Sequence, residues 1–560
     1  FASPIGYYPG NYELLDLWMM IPFKNDFLVN ILNFSLMIFL GITLYKILRN
    51  INLQKSTSLI LSGLLFYMPV FMRQAGTGLT DTFFCLSFAL SIYFLQEIHK
   101  NKNNPFKKHS NISAYIFFGL NIGLLAGTKY PGILIGIIPI LLLLIVLFSK
   151  SSEKKLLEKF KLAGMSAASA LLTGSFFFIR NWIDSGNPIF PVEVKAFGWK
   201  IFDGYLGTNE KLLNTSLIEN IKDVEGIKTF IVQYYNLIGL PGILAIISII
   251  GVWGIFIYKL FTKNSKEDLK LSIILLISSL LYLFLYINLP FSYSHIPQNT
   301  RYSMPFLIMG IINIGFVYSR IKAINPILDL AILSSIFYTL FLTILNPSAS
   351  IELTDRIILD ANLIKDYPLY FMLSSASFLF LFAAIYLIFT LDSGRKKTLI
   401  IVPLMLAMII LRLPVATFAI TEREKLIEHT RDTLQKDDKI KSKINAAIYL
   451  DKNATNSKIA YSGFNYHYLL FGRNLQRQVS YININECDQC RYVDYKNSEK
   501  SIRRDPSYEN WMKNLKKENK EYIVLDTEQS KEEDGWAINN KKNFAPVFEE
   551  SSIKIYKISY

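Results

Sequence analysis

The feature that most limits what this chain can become is a recurrence of apolar segments, each long enough, or nearly so, to cross a ~30 Å hydrocarbon core. Twelve of them run at approximately 27–48, 57–72, 82–98, 112–128, 131–149, 161–179, 237–260, 270–287, 304–320, 326–345, 369–391 and 398–420. A backbone inside lipid must satisfy its own hydrogen bonds, so segments of this length predict helices. Only 18% of the 560 residues are charged, below the roughly 25% of soluble domains. Those charges are unevenly spread: residues 421–560 are polar and rich in Lys and Glu. A membrane body at 27–420 and a tail at 421–560 follow.

The formal charge of +15 does not mark a nucleic-acid partner, because most of the excess lies in alternate short loops. Lys46, Arg49 and Lys55 occupy one. Further clusters fall at 100–108, 150–161, 259–270, 320–322 and 395–397. The positive-inside rule places this set in the cytoplasm. Everything between the other helix ends then lies outside: 1–26, 73–81, 129–130, the long loop 180–236, 288–303, 346–368 and the tail. The reading is a multi-pass protein of the plasma (inner) membrane with its C-terminal domain extracytoplasmic. Opening on Phe1 rather than Met, the chain is expected to lack an N-terminal piece, and one further span there would bring the total to thirteen.

The outer rim concentrates ionisable residues: Glu13, Asp16, Asp26, Arg73, Asp81, Lys129, Arg180, His295 and Arg301. Polar groups at helix ends around a shared cavity are functional candidates. Each also has a plainer reading. Asp81 opens "TDTFFCLSFALSIYFL" and could be a helix cap or a catalytic or metal-proximal carboxylate. Lys129 in "AGTKYPG", Arg180 in "FIRNWIDSGNPIFP" and Arg301 in "NTRYSMPF" could be interfacial anchors or ligands of a lipid-linked phosphate. Glu13 lies in "YYPGNYELLDLWMMIPFKND", an aromatic and acidic stretch whose Leu14, Leu15, Trp18 and Met19 would share one face of an interfacial helix. It is either solvated or turned into the cavity. The loop 180–236 is too long for a turn and is expected to carry its own elements.

The tail reads as a small α/β domain, with strands at "SKIAYSG" and "EYIVLDT", a helix at "PSYENWMKNLKKEN" and a closing strand or hairpin at "FAPVFEESSIKIYKI". It contains neither a Gly-rich phosphate loop nor a catalytic-triad pattern, and its role is left open between structure and acceptor docking. Cys85 lies inside a span and is expected to be inert. Cys487 and Cys490 form C-D-Q-C, a local disulfide candidate in an oxidising compartment; two Cys alone make a weak zinc site.

Four of these outer stretches together resemble the integral-membrane glycosyltransferases of the GT-C fold, in particular the bacterial family related to protein O-mannosyltransferases and to the lipid A aminoarabinose transferase. They are "YYPGNYELLDLWMMIPFKND", "GLTDTFFCLSFALSIYFL", "GLLAGTKYPG" and "RNWIDSGNPIFP"; "RYSMPF" fits the same group's Arg-Tyr-x-x-Pro pattern. The resemblance implies transfer of a sugar from a polyprenyl-phosphate donor to a lipid, glycan or protein acceptor at the outer face. It implies Lys129, Arg180 and Arg301 as donor-phosphate ligands, Asp81 and then Glu13 as the surviving carboxylates, and a divalent metal as the one cofactor to consider. The family's principal first-loop acid would lie upstream of residue 1. A secondary transporter or a non-catalytic envelope polysaccharide assembly protein is the competing class. Transporters bind near the bilayer midplane between interrupted helices, and here the polar residues crowd one rim.

Overall fold

In a computed structural model, residues 8–345 and 438–560 are described, apart from 25, 27, 76, 102–107, 150–154, 197, 203–215, 221–223, 263–265, 290–295, 464–466, 473 and 487–504. The expected spans at 369–391 and 398–420, His295 and the Cys487/Cys490 pair lie outside the described residues.

The helices are α1 (Asn11–Met20), α2 (Val29–Asn50), α3 (Lys55–Gly63), α4 (Pro69–Ala75), α5 (Asp81–Asn101), α6 (Lys108–Ala126), α7 (Pro131–Phe148) and α8 (Leu156–Ser185). They continue with α9 (Val224–Thr262), α10 (Lys266–Asn288), α11 (Met304–Arg320) and α12 (Asn325–Leu345). Among the described residues, seven helices are long and apolar enough to cross a membrane, and 112–126 forms a shorter apolar helix. The expected span at 57–72 is corrected: it breaks into α3, a 3-10 turn at Leu64–Tyr67 and α4. Pro69 cannot donate an amide to a continuing helix, and Met68 before it is extended. Conversely, α9 starts well before residue 237. Gly239 breaks it at φ 62°, ψ −172°, a conformation open essentially only to glycine, two residues ahead of Pro241.

By contacts the chain divides into two compact units, one from Asn30–Ser175 and Thr208–Glu424, the other from Phe1–Val29, Phe176–Gly207 and Lys425–Tyr560. The first is the membrane body. In it α11 is buried from Met304 to Val317, and polar side chains bond within the bundle: Asn313 donates to Ser279 Oγ at 2.9 Å, and Ser248 donates to the Gly310 carbonyl at 3.1 Å. Close approach of α6 and α8 rests on small residues. A Cβ at Gly119 or Gly123 would collide with the backbone of Ser166 or Ala170. Ser166 and Thr173 use the proximity to donate to the carbonyls of Tyr115 and Leu120 at 3.0 and 2.9 Å.

The second unit holds the C-terminal α/β domain: α13 (Asp438–Asn453), β3 (Lys458–Ser462), β4 (Gln478–Tyr481), α14 (Tyr508–Lys517), β5 (Tyr522–Asp526), α15 (Lys531–Asn539), β6 (Phe544–Glu550) and β7 (Ile553–Ile558). Two further strands, β1 (Val194–Ala196) and β2 (Trp199–Phe202), pair as a hairpin within 180–236. The five-stranded sheet runs β4-β3-β5-β7-β6. β3 is parallel to β4 and β5, while β7 is antiparallel to β5 and β6. Period-two alternation sends Ile459, Val524 and Ile555 to the core shared with Ala446 and Leu450 of α13. Ala460, Ile523, Leu525 and Tyr556 face Trp511 and Leu515 of α14 and Ala537 of α15. The fold class read from the sequence, a polytopic helical body followed by an α/β domain, is what the structure shows.

Candidate functional site

Three motifs of the membrane body converge on Asp81. It opens α5, and the loop before it is pinned by Asn33 of α2, whose Nδ2 donates to the carbonyls of Thr77 and Leu79 at 2.5 and 2.7 Å. Lys129 lies in the tight turn between α6 and α7, closed by Thr128 donating to the Leu124 carbonyl at 2.6 Å and by the Gly132 amide donating to the Lys129 carbonyl at 2.8 Å. Its Nζ reaches Asp81 Oδ1 at 2.6 Å. Arg301 lies in the 3-10 turn Thr300–Ser303 before α11, and its Nη1 stands 3.5 Å from Asp81 Oδ2. The Tyr302 ring sits beneath both cations, 5.7 Å from Lys129 Nζ and 5.4 Å from the Arg301 guanidinium carbon.

The depth of these groups differs. The Asp81 side chain is 4% exposed, against 20% for Lys129 and 22% for Arg301. The carboxylate is therefore at the bottom and the cations cover it. Two cations on one anion leave a net positive charge. Each cation also precedes a helix by two or three residues, Lys129 before Pro131 of α7 and Arg301 before Met304 of α11. Helix N-termini carry partial positive charge, so the helices add to the cations' field. Asp81 Oδ2 and Arg301 Nε are buried with no hydrogen-bond partner among the described residues, leaving polar capacity within the site. The arrangement suits an anion.

Neighbouring hydroxyls hold the 300–303 turn. Thr300 and Ser303 are fully buried and donate to the carbonyls of Ile296 and Thr300 at 2.8 and 2.7 Å; the rings of Tyr286 and Tyr234 stack at 5.9 Å. Tyr234 and Tyr286 sit in apolar runs and carry no signal in the sequence beyond core packing; Tyr302 is marked there only as part of "RYSMPF".

Arg180 and Glu13 fall in the other unit. Arg180 Nη2 donates to Asn181 Oδ1 at 2.8 Å, and its guanidinium lies 5.1 Å from the Phe177 ring centre. Asn181 and Asn187 build the turn after α8: Asn187 Nδ2 donates to the Val192 carbonyl at 2.8 Å, and Gly186 takes φ 71°. Glu13 is exposed on α1. The half-buried carboxylate of that helix is Asp16, pushed up to about 6 by burial, with the Glu13 charge adding to the rise and a Tyr12 hydrogen bond opposing it. The outward stripe of α1 is Leu14, Leu17, Trp18 and Ile21; Leu15 and Met19 are only part-exposed, which rotates the expected apolar face by about a quarter of a turn. Among the described residues, no three His, Cys, Asp or Glu side chains group as a metal set. Asp81 itself, with a cation against each oxygen, does not fit a divalent ion.

Residues 1–182 match the model of the dolichyl-phosphate-mannose-protein mannosyltransferase family, a segment that contains Asp81 and Lys129. No curated protein matches the chain. Among solved structures, ArnT from Cupriavidus metallidurans bound to undecaprenyl phosphate is similar over 98% of this chain and 87% of its own, at 12% identity and TM-score 0.47; the apo form gives a TM-score of 0.46. The oligosaccharyltransferase of Archaeoglobus fulgidus, in complex with Zn and sulfate, is similar over 99% of this chain and 66% of its own, at 12% identity and TM-score 0.38.

Proposed function

We propose that this chain is a GT-C-type membrane glycosyltransferase that takes a sugar from a polyprenyl-phosphate donor at the outer face of the plasma membrane. The observation that carries the reading is the buried Asp81 holding Lys129 and Arg301 together at the N-terminal ends of two helices. The family match over residues 1–182 supports it.

In the reaction an acceptor oxygen bonds to the anomeric carbon as the bond from that carbon to the phosphate oxygen breaks. The polyprenyl phosphate leaves with an additional negative charge. Lys129 and Arg301 meet that charge with fixed donors at a membrane rim, where preorganised electrostatics act most strongly on rate. Asp81, bonded to Lys129 through Oδ1 and ion-paired with Arg301 at Oδ2, serves to position the two cations. Tyr302 offers them a common aromatic face. The proton leaving the acceptor hydroxyl passes to solvent water at the membrane rim, Asp81 being held in its ion pairs with the two cations.

The test supplies purified full-length protein with polyprenyl-phosphate sugars and follows transfer and sugar release. Turnover that is lost in Asp81→Asn and weakened in Lys129→Ala and Arg301→Ala supports the reading. Undiminished turnover in all three overturns the site. Proteoliposome uptake of a labelled solute without sugar release would favour the transporter class.

A further inference from the structure

A second site lies in the unit that joins the first stretch to the C-terminal domain. A cavity of about 640 Å³ opens between the end of α1, through Leu17, Ile21, Phe23 and Lys24, and the C-terminal domain, through Asn456, Asn474 and Gln476. Contact between the two segments continues beside it, where the Tyr468 hydroxyl hydrogen-bonds the Asp26 carboxylate.

Its two walls are chemically opposed. Leu17 and Ile21 belong also to the exposed stripe Leu14, Leu17, Trp18, Ile21, spaced to share one helical face. The apolar surface of α1 thus runs directly into the cavity. The far wall presents three carboxamides, and no carboxylate lines the cavity among the described residues.

The polar wall is held rigid. Arg477 is 2% exposed, pairs with Asp451 at 2.8 Å and donates from Nε to the Leu470 carbonyl at 2.6 Å, which fixes the loop carrying Asn474 and Gln476. Gln476 Oε1 accepts from the Asn474 amide at 3.0 Å, so that carboxamide is oriented by backbone. Lys24 and Leu475, one from each wall, both adopt positive φ, 52° and 51°. Neither is a residue type that favours this region, and such strain gathers at ligand clamps.

We propose that this cavity binds the head group of a glycolipid, with sugar hydroxyls on Asn456, Asn474 and Gln476 and the apolar chain along Leu17 and Ile21. Carboxamides both donate and accept, which matches hydroxyls that do the same. Among the described lining residues three carboxamides stand beside one cation, Lys24, a composition that favours hydroxyls. In the proposed reaction the occupant is the acceptor. That role rests on the glycosyl-transfer reading; the binding does not.

The experiment photolabels full-length protein in nanodiscs with a diazirine alkyl glycoside and maps the modified peptides. Labelling is expected in 17–24 and 455–476, reduced at least fivefold in N456A/N474A and competed by an unlabelled alkyl glycoside. Gln476→Ala, measured with its unfolding temperature, separates lost binding from lost folding. D81N should lower donor turnover by about 10²–10³-fold while leaving the labelling intact, so that failure of either claim is seen alone. Undiminished labelling in N456A/N474A overturns the site. Equal competition by an alkyl phosphate of the same chain length overturns the sugar assignment and makes this a lipid-phosphate site.

Discussion

The membrane body carries two clusters of identical composition, one Asp with one Lys and one Arg, and they differ in where the cations stand. At the first, Asp81 holds Lys129 and Arg301. At the second, Asp268 holds Arg320 through Nε at 2.7 Å and Lys259 at 3.2 Å. Asp268 lies in the first turn of α10, while Lys259 and Arg320 lie in the last turns of α9 and α11. Every charge there agrees with the helix dipole beside it. The Asp268 cluster is a staple across three helix ends, and nothing about it calls for a ligand. At Asp81 the cations instead precede helices, where the dipole opposes them, and Arg301 approaches its carboxylate only to 3.5 Å. α11 carries one cation of each kind, Arg301 ahead of its start and Arg320 at its end. A cation set against the dipole is a cost that an incoming anion removes.

The strongest way to break this contrast is to neutralise each aspartate in turn. Asp81→Asn should lower turnover by about 10²–10³-fold, the range seen when preorganised charge stabilisation is disrupted. Asp268→Asn should leave kcat near wild type and lower stability by roughly 1–3 kcal/mol, the worth of hydrogen bonds to a charged group. Comparable turnover losses at both would erase the distinction. Next in size, Lys129→Ala and Arg301→Ala should each weaken polyprenyl-phosphate binding about ten- to a hundredfold, as removal of a charge-assisted hydrogen bond does. A smaller effect is expected at Tyr302→Leu, about 0.5–2 kcal/mol in donor affinity from lost cation–π contact, read as a KM rise with kcat less affected. Tyr302→Phe keeps the ring and should keep most of the affinity.

Outside this pair of clusters, Asp16 gives a pH prediction. Its folded-state value of about 6 stands above its ordinary 3.8. The folded protein then holds the proton more tightly, so this group favours folding at low pH and that contribution fades as pH rises from about 4 through 6. Unfolding temperature followed over that interval should show the decline in wild type and a flatter profile in Asp16→Asn.

Much of the site was legible because its residues sit at breaks in hydrophobicity. Asp81, Lys129 and Arg301 each interrupt an apolar run, and loop charge alone assigned them to one side. Their mutual contact was not legible, since nothing in "GLTD", "GTKY" or "TRYS" specifies which helix ends meet. The paired role of Arg180 with Asn181 was hidden for a related reason: "RNWIDSGNP" mixes turn chemistry with a cation, and Asn181 and Asn187 are used to hold a backbone turn. In the C-terminal domain, β5 and the β6–β7 hairpin announced themselves by alternation and apolar content. α13 and α15 did not, because their buried positions are small or polar, such as Ser442, Ala446 and Glu533. The break at Pro69 was written in the sequence but lost inside a continuous apolar run, where length outweighed a single helix breaker.

The Asp81 cluster, and not the Asp268 cluster, is proposed to bind a lipid-linked phosphate. The direct measurement is binding of undecaprenyl phosphate to full-length protein in nanodiscs, compared between K129A/R301A and K259A/R320A. Binding is expected to be lost in the first pair and kept in the second. Equal binding by both variants, or loss only in the second, would contradict it.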